Sequence, residues 1–148
     1  MKVAVLMGSP NDREKMRGAS EMLERFGIEV DEQVLSAHRN PTAVAAFAST
    51  ARHEGYAAVI CGAGMAAHLA GVVAAHTTLP VVGVPLSGGA LNGVDALYAT
   101  VQMPRGVPVA TVAVDGAANA GVLVAEMLSI TDAAIADQLA DFRAGGSR

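Results

Sequence analysis

The sequence predicts a doubly wound α/β domain: a five-stranded parallel sheet with helices on both faces and a further helix at the C-terminus. Three observations carry that expectation. Runs of Val, Ile and Ala without polar alternation recur along the chain, as strands buried on both faces require. Between them, apolar residues return every three or four positions, which marks one face of a helix. The connections are short, and strands alternating with helices specify a parallel sheet.

Residues 3–7 read as the first strand. Met16, Ala19, Leu23 and Phe26 give the first helix its apolar face, and Gly27 stops it. Residues 28–35 form the second strand. Asn40 supplies an N-cap and Pro41 a proline at the first helical position. Val44, Phe47, Ala48 and Ala51 line that helix, which ends at Gly55. Residues 57–61 make the third strand and 66–76 a helix of small residues. Residues 80–84 make the fourth strand, with Val94, Leu97 and Val101 marking the helix after it. Residues 107–114 and 117–128 complete the alternation. Thr131 is expected to cap a last helix with Ile135, Leu139 and Phe142 on one face, ahead of a polar tail, Gly145-Gly146-Ser147-Arg148. The expectation is one domain over residues 1–148, with its core at 3–128, its C-terminal helix at 131–143 and strand order 2-1-3-4-5.

Composition narrows the function. Of 148 residues, 52% are apolar and 16% charged, against a usual charged share of about 25%. Such a chain is not disordered. It is also short of polar residues to cover a monomer, which points to a homo-oligomer. No apolar run approaches the roughly 18 residues of a membrane helix. The first apolar stretch reaches Gly8-Ser9-Pro10 too soon for a signal peptide, so a cytoplasmic location is expected. A net charge of −4, 3% aromatic residues and no basic cluster leave little for a nucleic acid to bind. The single cysteine, Cys61, excludes an intramolecular disulfide and a multi-cysteine zinc site, and reads as a small core residue. The four histidines lack HxxxH or HExxH spacing, so no metal site is expected. His53 reads as solvated and His76 as the end of a helix.

In doubly wound sheets, ligands bind beyond the carboxyl ends of the strands, near the point where strand order reverses. The loops leaving those ends hold Asp12, His38, Arg39, His68 and Asp115. Gly8-Ser9 ahead of a helix start at Asp12 can offer N–H groups and a hydroxyl to an anion. Asp12 would then accept from a sugar hydroxyl; the alternative is a plain turn with Asp12 as N-cap. In the next loop, Ser36-Ala37-His38-Arg39, Arg39 can fork onto a phosphate, and His38 is the candidate general acid or base. The alternative there is a helix-capping loop with a solvated His-Arg pair. Gly62-Ala63-Gly64-Met65-Ala66-Ala67 fits G-x-G-x-x-A, but it follows the third strand and has no acidic partner about 20 residues on. Gly64 and its neighbours read as a backbone that lets a ligand approach. His68 is expected one turn into the following helix, as a ligand contact or as a structural hydrogen bond to a neighbouring loop.

Taken together, MGSPND, SAHRNP, GAGMAAHLAG, TTLPVVGVP, ALNGVDALYATVQMPRGVPVATV and GAANAGVLVAEML, in this order, resemble the bacterial 5-(carboxyamino)imidazole ribonucleotide mutases of purine biosynthesis. The resemblance runs from about Val3 to Phe142 and is sharpest at SAHR and AAHL. It implies a three-layer α/β/α, flavodoxin-like fold, a homo-octamer with exchanged C-terminal helices, and no metal or organic cofactor. It implies an isomerase that moves a carboxylate of a small-molecule ribonucleotide from the exocyclic nitrogen to a ring carbon. The course implied is decarboxylation, trapping of carbon dioxide, recarboxylation and loss of the ring proton. His38 matches the acid/base histidine of these mutases. Ser9, Asp12 and Arg39 match their phosphate and ribose contacts, and Ser36, Gly64 and His68 complete the expected binding set.

The sequence also departs from the pattern. Asn11 and Arg13 stand where GSxSDW has a serine and a tryptophan, and Met65 and Ala70 where GAGGAAHLPG has a glycine and a proline. The stretch before Gly116 is about two residues short of the usual length, and Met65 adds a side chain beside the expected carbon dioxide pocket. The related direct carboxylases typically carry SAHK and lack the AAHL histidine, so Arg39 and His68 favour the mutase. A non-catalytic flavodoxin-like module is the remaining rival. A phospho-receiver would want an aspartate where Cys61-Gly62 stands, and a flavin site wants stacking aromatics that a chain with no Trp, two Tyr and three Phe lacks.

Overall fold

Parallel strands can be joined only by crossovers, so each strand of this chain is followed by a helix that returns to the same end of the sheet. The computed structural model describes residues 1–147, and Arg148, the last of the expected tail, lies outside the described residues. The elements are β1 (Lys2–Met7), α1 (Arg13–Arg25), β2 (Glu29–Val34), α2 (Pro41–Thr50), β3 (Tyr56–Gly64) and α3 (Leu69–His76), then β4 (Val81–Leu86), α4 (Val94–Val101), β5 (Ala110–Thr111), α5 (Ala117–Ser129) and α6 (Ala133–Ala144). Every strand pairing is parallel, in the order β2-β1-β3-β4-β5. The expected five-stranded sheet and its order are therefore observed.

Alternation within the central strands divides the core in two. Val3, Val5, Met7, Ala58 and Ile60 face α1, α5 and α6. Ala4, Leu6, Val59 and Cys61 face α2 and α3.

Several local expectations are corrected. β2 is not a strand buried on both faces; none of Glu29–Val34 is buried. It is an edge strand, and charged side chains suit an edge that must not recruit another chain. Those side chains are also used: Asp31 accepts from the Tyr56 hydroxyl, and Glu32 accepts from the Ser20 hydroxyl and, at 3.2 Å, from Arg13. β5 keeps only Ala110–Thr111 of its expected length. Pro108 just ahead of it has no N–H to give a ladder. α3 begins at Leu69, after a tight turn that opens with Met65 in the left-handed region at φ 51. His68 is thus at the N-cap position rather than one turn inside. Asp132, not Thr131, caps α6, its carboxylate accepting from Ala134 N–H at 3.0 Å and Ile135 N–H at 3.2 Å. The Thr131 hydroxyl turns back to Leu128 O instead. Asn40 does hold the N-cap position of α2, but through its carbonyl, which accepts from Val44 N–H at 3.1 Å, and not through its side chain.

α6 packs on α5 of its own chain. The Phe142 ring meets Phe26 edge-on, with centroids 5.5 Å apart, and the Arg25 guanidinium lies over the Phe142 ring. On α4 and the turn before it, Leu91, Val94, Tyr98 and Val101 fall at helical spacing and are all exposed. No helix of the described residues is long and apolar enough to cross a membrane.

α1 and α5 approach backbone to side chain because Gly121 has no Cβ. A Cβ there would lie 2.7 Å from the Ala19 carbonyl oxygen and 2.8 Å from Met22 Cβ. Replacing glycine by alanine inside a helix normally gains up to about 1 kcal/mol, whereas overpacking costs about 1–3 kcal/mol. The obstacle is backbone and cannot swing aside, so Gly121→Ala should destabilise the protein, read as a lower urea midpoint; an unchanged or higher midpoint would contradict this packing.

Candidate active site

The order 2-1-3 puts the loops after β1, β2 and β3 side by side, and β4 adds a fourth. They enclose a cleft of about 590 Å³ at the carboxyl end of the sheet. Ser9, Asp12, Ser36, His38, Arg39, Gly64 and His68 all line it. Every residue singled out from the sequence as a substrate contact or catalyst is therefore brought to one place.

The first loop is anchored where Gly8 N–H donates to Gly62 O at 3.1 Å. Ser9 Oγ accepts from Asn11 N–H at 3.3 Å and opens a 3-10 turn, Pro10–Asp12, that leads into α1. Asp12 occupies the N-cap position of α1, yet its side chain makes no capping bond. Its carboxylate is thus available to the cleft. Burial pushes that carboxyl above its ordinary range, opposed by Ser9 and by the charges of Lys15 and Arg39.

The second loop is a built turn. Ser36 is buried; its Oγ accepts from Arg39 N–H at 3.2 Å and its carbonyl from Asn40 N–H at 2.8 Å. These bonds present His38 and Arg39 at the cleft. The Arg39 guanidinium makes neither hydrogen bond nor ion pair among the described residues, and its charge is one of those that act on Asp12. By contrast Arg13, Arg17, Arg52 and Arg143 are each bound to acidic or hydroxyl-bearing neighbours. A cation kept unspent at the wall of a cleft is equipped to take an anion.

His38 Nε2 lies 2.7 Å from His68 Nδ1, with the rings nearly perpendicular at 87°. One of the two nitrogens must carry the hydrogen and the other accept it. His68 is therefore both the structural bond to a neighbouring loop and a member of the cleft wall.

The third loop is shaped by the packing around its glycines. A Cβ on Gly62 would stand 2.2 Å from Met16 Sδ, and one on Gly64 would stand 3.4 Å from Leu86 O. Gly62 makes room for the core beneath it, which corrects its reading as a ligand approach; Gly64 does line the cleft. Met65 is 60% exposed, and its thioether lies against Gly89, bridging the β3 and β4 loops at the rim. Cys61 is buried, and burial pushes its thiol far up, so it is the inert core residue expected. His53 and His76 line a separate hollow between the C-terminal ends of α2 and α3.

Ser87, Gly88 and Gly89 also line the cleft, and nothing in the sequence had singled them out within their loop. The adjacent glycines were the available signal, since paired glycines after a strand mark a turn where backbone can approach a ligand. Among the described residues no group of three or more His, Cys, Asp or Glu could hold a metal ion.

Comparison with known proteins bears on this site. The AIR carboxylase family matches residues 2–147. The chain belongs to the AIR carboxylase family. It is 50% identical to an N5-carboxyaminoimidazole ribonucleotide mutase of Vibrio vulnificus, over 97% of this chain and 90% of that protein. It is 51% identical to the protein of the same name from Saccharolobus solfataricus, over 95% of this chain and 89% of that one. The crystal structure of Treponema denticola PurE superimposes with a TM-score of 0.87 at 27% identity, covering 99% of this chain and 91% of that chain. The family match and the structural likeness thus both extend over nearly the whole chain.

Proposed function

We propose that this AIR carboxylase family member is an N5-carboxyaminoimidazole ribonucleotide mutase, an isomerase of purine biosynthesis. Relatives bearing that name at about half identity over nearly their full length support the reading. The observation that carries the chemistry is the His38–His68 pair beside the unspent guanidinium of Arg39.

Arg39 takes the ribonucleotide phosphate, helped by N–H groups of the turn that Ser9 opens, and Asp12 accepts from a ribose hydroxyl. Ser36 and Gly64 form the wall on either side. The reaction needs one proton delivered and one removed. As the bond between the exocyclic nitrogen and its carboxylate breaks, the electron pair stays on nitrogen, which takes a proton from His38, and carbon dioxide is released into the cleft. The ring carbon then attacks that carbon dioxide and becomes tetrahedral. Loss of its hydrogen to His38 restores the aromatic ring and returns the histidine to its starting state. Protons balance within one turnover, and no oxidation level changes, so the transfer calls for no redox cofactor. His68 orients His38 through their shared hydrogen. Carbon dioxide has to stay beside the ring carbon until it is attacked, which requires substrate to shield the cleft from water.

The proposal includes a homo-oligomer, an octamer as the resemblance implies, working in the cytoplasm. The low charge content and the exposed stripe of Leu91, Val94, Tyr98 and Val101 support self-association. Sedimentation at micromolar concentration should give the octamer mass, and a monomer there would refute it.

The deciding assay gives purified protein, with chelator and without ATP, either N5-carboxyaminoimidazole ribonucleotide or aminoimidazole ribonucleotide plus bicarbonate. Fast carbon-carboxylation of the first and slow conversion of the second is expected. Preference for the second would make the chain a direct carboxylase. In the same assay His38→Asn should abolish turnover while nucleotide binding persists, and undiminished turnover would remove His38 from the mechanism. Arg39→Ala should weaken nucleotide binding by about 1.5–3 kcal/mol, the range for a hydrogen bond to a charged group; calorimetry showing an unchanged Kd would exclude the phosphate contact.

A further inference from the structure

Ser87 opens the loop between β4 and α4 that forms one wall of the cleft, and it is held from outside that loop on both sides. Lys15, in the first turn of α1, donates to the Ser87 carbonyl at 2.6 Å and to its hydroxyl at 2.8 Å. From the β5 side, Asp115 Oδ1 accepts from Ser87 N–H at 2.8 Å and stands 4.0 Å from Lys15 Nζ. The N–H, the carbonyl and the hydroxyl of Ser87 are therefore all engaged. Lys15 itself does not line the cleft.

The loop needs such a hold. Gly88 at φ 143, Gly89 at φ 62, Asn92 at φ 46 and Gly93 at φ 95 all take positive φ, and no atom lies within 4 Å of a Cβ built on Gly88. Glycine-rich chain of this kind has much conformational freedom to lose. The sheet holds β4 through Leu86 on the β3 side, but on the other side β5 pairs with it only at Val82–Ala110 and Gly83–Thr111. Beyond that ladder, Val112 N–H reaches Gly83 O and Asp115 N–H reaches Pro85 O, which fixes Asp115 at φ 57 with its carboxylate at Ser87. Burial works to raise the Asp115 carboxyl, but the bonds from Ser87 and the charge of Lys15 lower it further, so the acceptor is ionised.

We propose that Lys15 is a positioning residue for the reaction: by tying Ser87 to α1, opposite Asp115, it fixes the Ser87–Gly89 wall against which the substrate is held. The inference rests on the mutase reading and adds to it a residue that touches no substrate. It also couples two walls, because Asp12 stands at the N-cap position of the helix that carries Lys15.

The test compares wild type with Lys15→Met, which keeps the stem and removes the ammonium, and with Lys15→Arg, which can still donate to two oxygens. For Lys15→Met, KM for N5-carboxyaminoimidazole ribonucleotide should rise about tenfold, with a much smaller fall in kcat. Lys15→Arg should recover most of the loss. The melting temperature should move little, because a half-exposed lysine contributes little to global stability. Amide hydrogen exchange over residues 87–93 should accelerate in Lys15→Met and nowhere else. An unchanged KM, or a lower melting temperature with KM unchanged, would reduce Lys15 to a structural contact and overturn the proposal. Exchange is measured without substrate, so unaltered protection of 87–93 would overturn it independently. If wild type failed to turn over this substrate while exchange still responded, the reaction assignment and the role of Lys15 in it would fall, and the mechanical tie would stand.

Discussion

The parallel pairing of β1 with β3 at the centre of the sheet is the constraint on which the site depends. It runs from Lys2 to Met7 against Tyr56 to Gly62 and ends where Gly8 N–H meets Gly62 O. That register places the Ser9 turn beside the Gly64 loop. With β2 on the other flank of β1, the His38 loop arrives beside both. Residues 30 positions apart, His38 and His68, can then share a hydrogen at 2.7 Å. A slip of one residue in this pairing would turn every central side chain to the other face. Val5 and Ile60 would then leave the α1/α5 layer, and Leu6 and Cys61 would leave the α2/α3 layer, so the core itself enforces the register.

The division of labour between apolar and polar residues is correspondingly sharp. The core is almost wholly aliphatic, and the ion pairs Arg17–Glu14, Arg17–Glu21 and Arg143–Glu126 lie on the surface, where each is worth less than about 1 kcal/mol. Stability comes from burial, and some of the polar groups at the carboxyl ends of the strands stay without an internal partner. Asp12 and Arg39 illustrate this: two opposite charges at one cleft form no ion pair and feel each other only through space.

Much of this was legible in the sequence. Central strands announce themselves as unbroken apolar runs, helices by their period, and the topological rule then indicates which loops to inspect. His38, Arg39 and Asp12 were legible because they sit on those loops. Edges were harder. Glu29–Val34 is polar because it has one neighbour instead of two, and the sequence cannot show which strand lies outermost until the order is known. The Lys15–Ser87–Asp115 tie spans 72 residues on one side and 28 on the other, and a hydrogen bond between distant segments leaves no local period or motif. The cap of α6 shifted by one residue for a plainer reason: Thr131 and Asp132 are both competent caps, and only the path of the preceding turn selects between them.

Gly62 joins the core to the site in a way that bears on how tolerance to substitution should be read. Met16 fills the space its side chain would occupy, and α1, which carries Met16, also presents Asp12 and Lys15 at its start. Any larger residue at position 62 would have to displace the buried Met16 side chain beneath α1. A survey of permitted replacements would find position 62 restricted to the extent that Met16 cannot repack, a reason that is wholly steric. Invariance at the end of β3 would then measure how closely a helix lies on a strand, and would be no guide to which atoms meet the nucleotide.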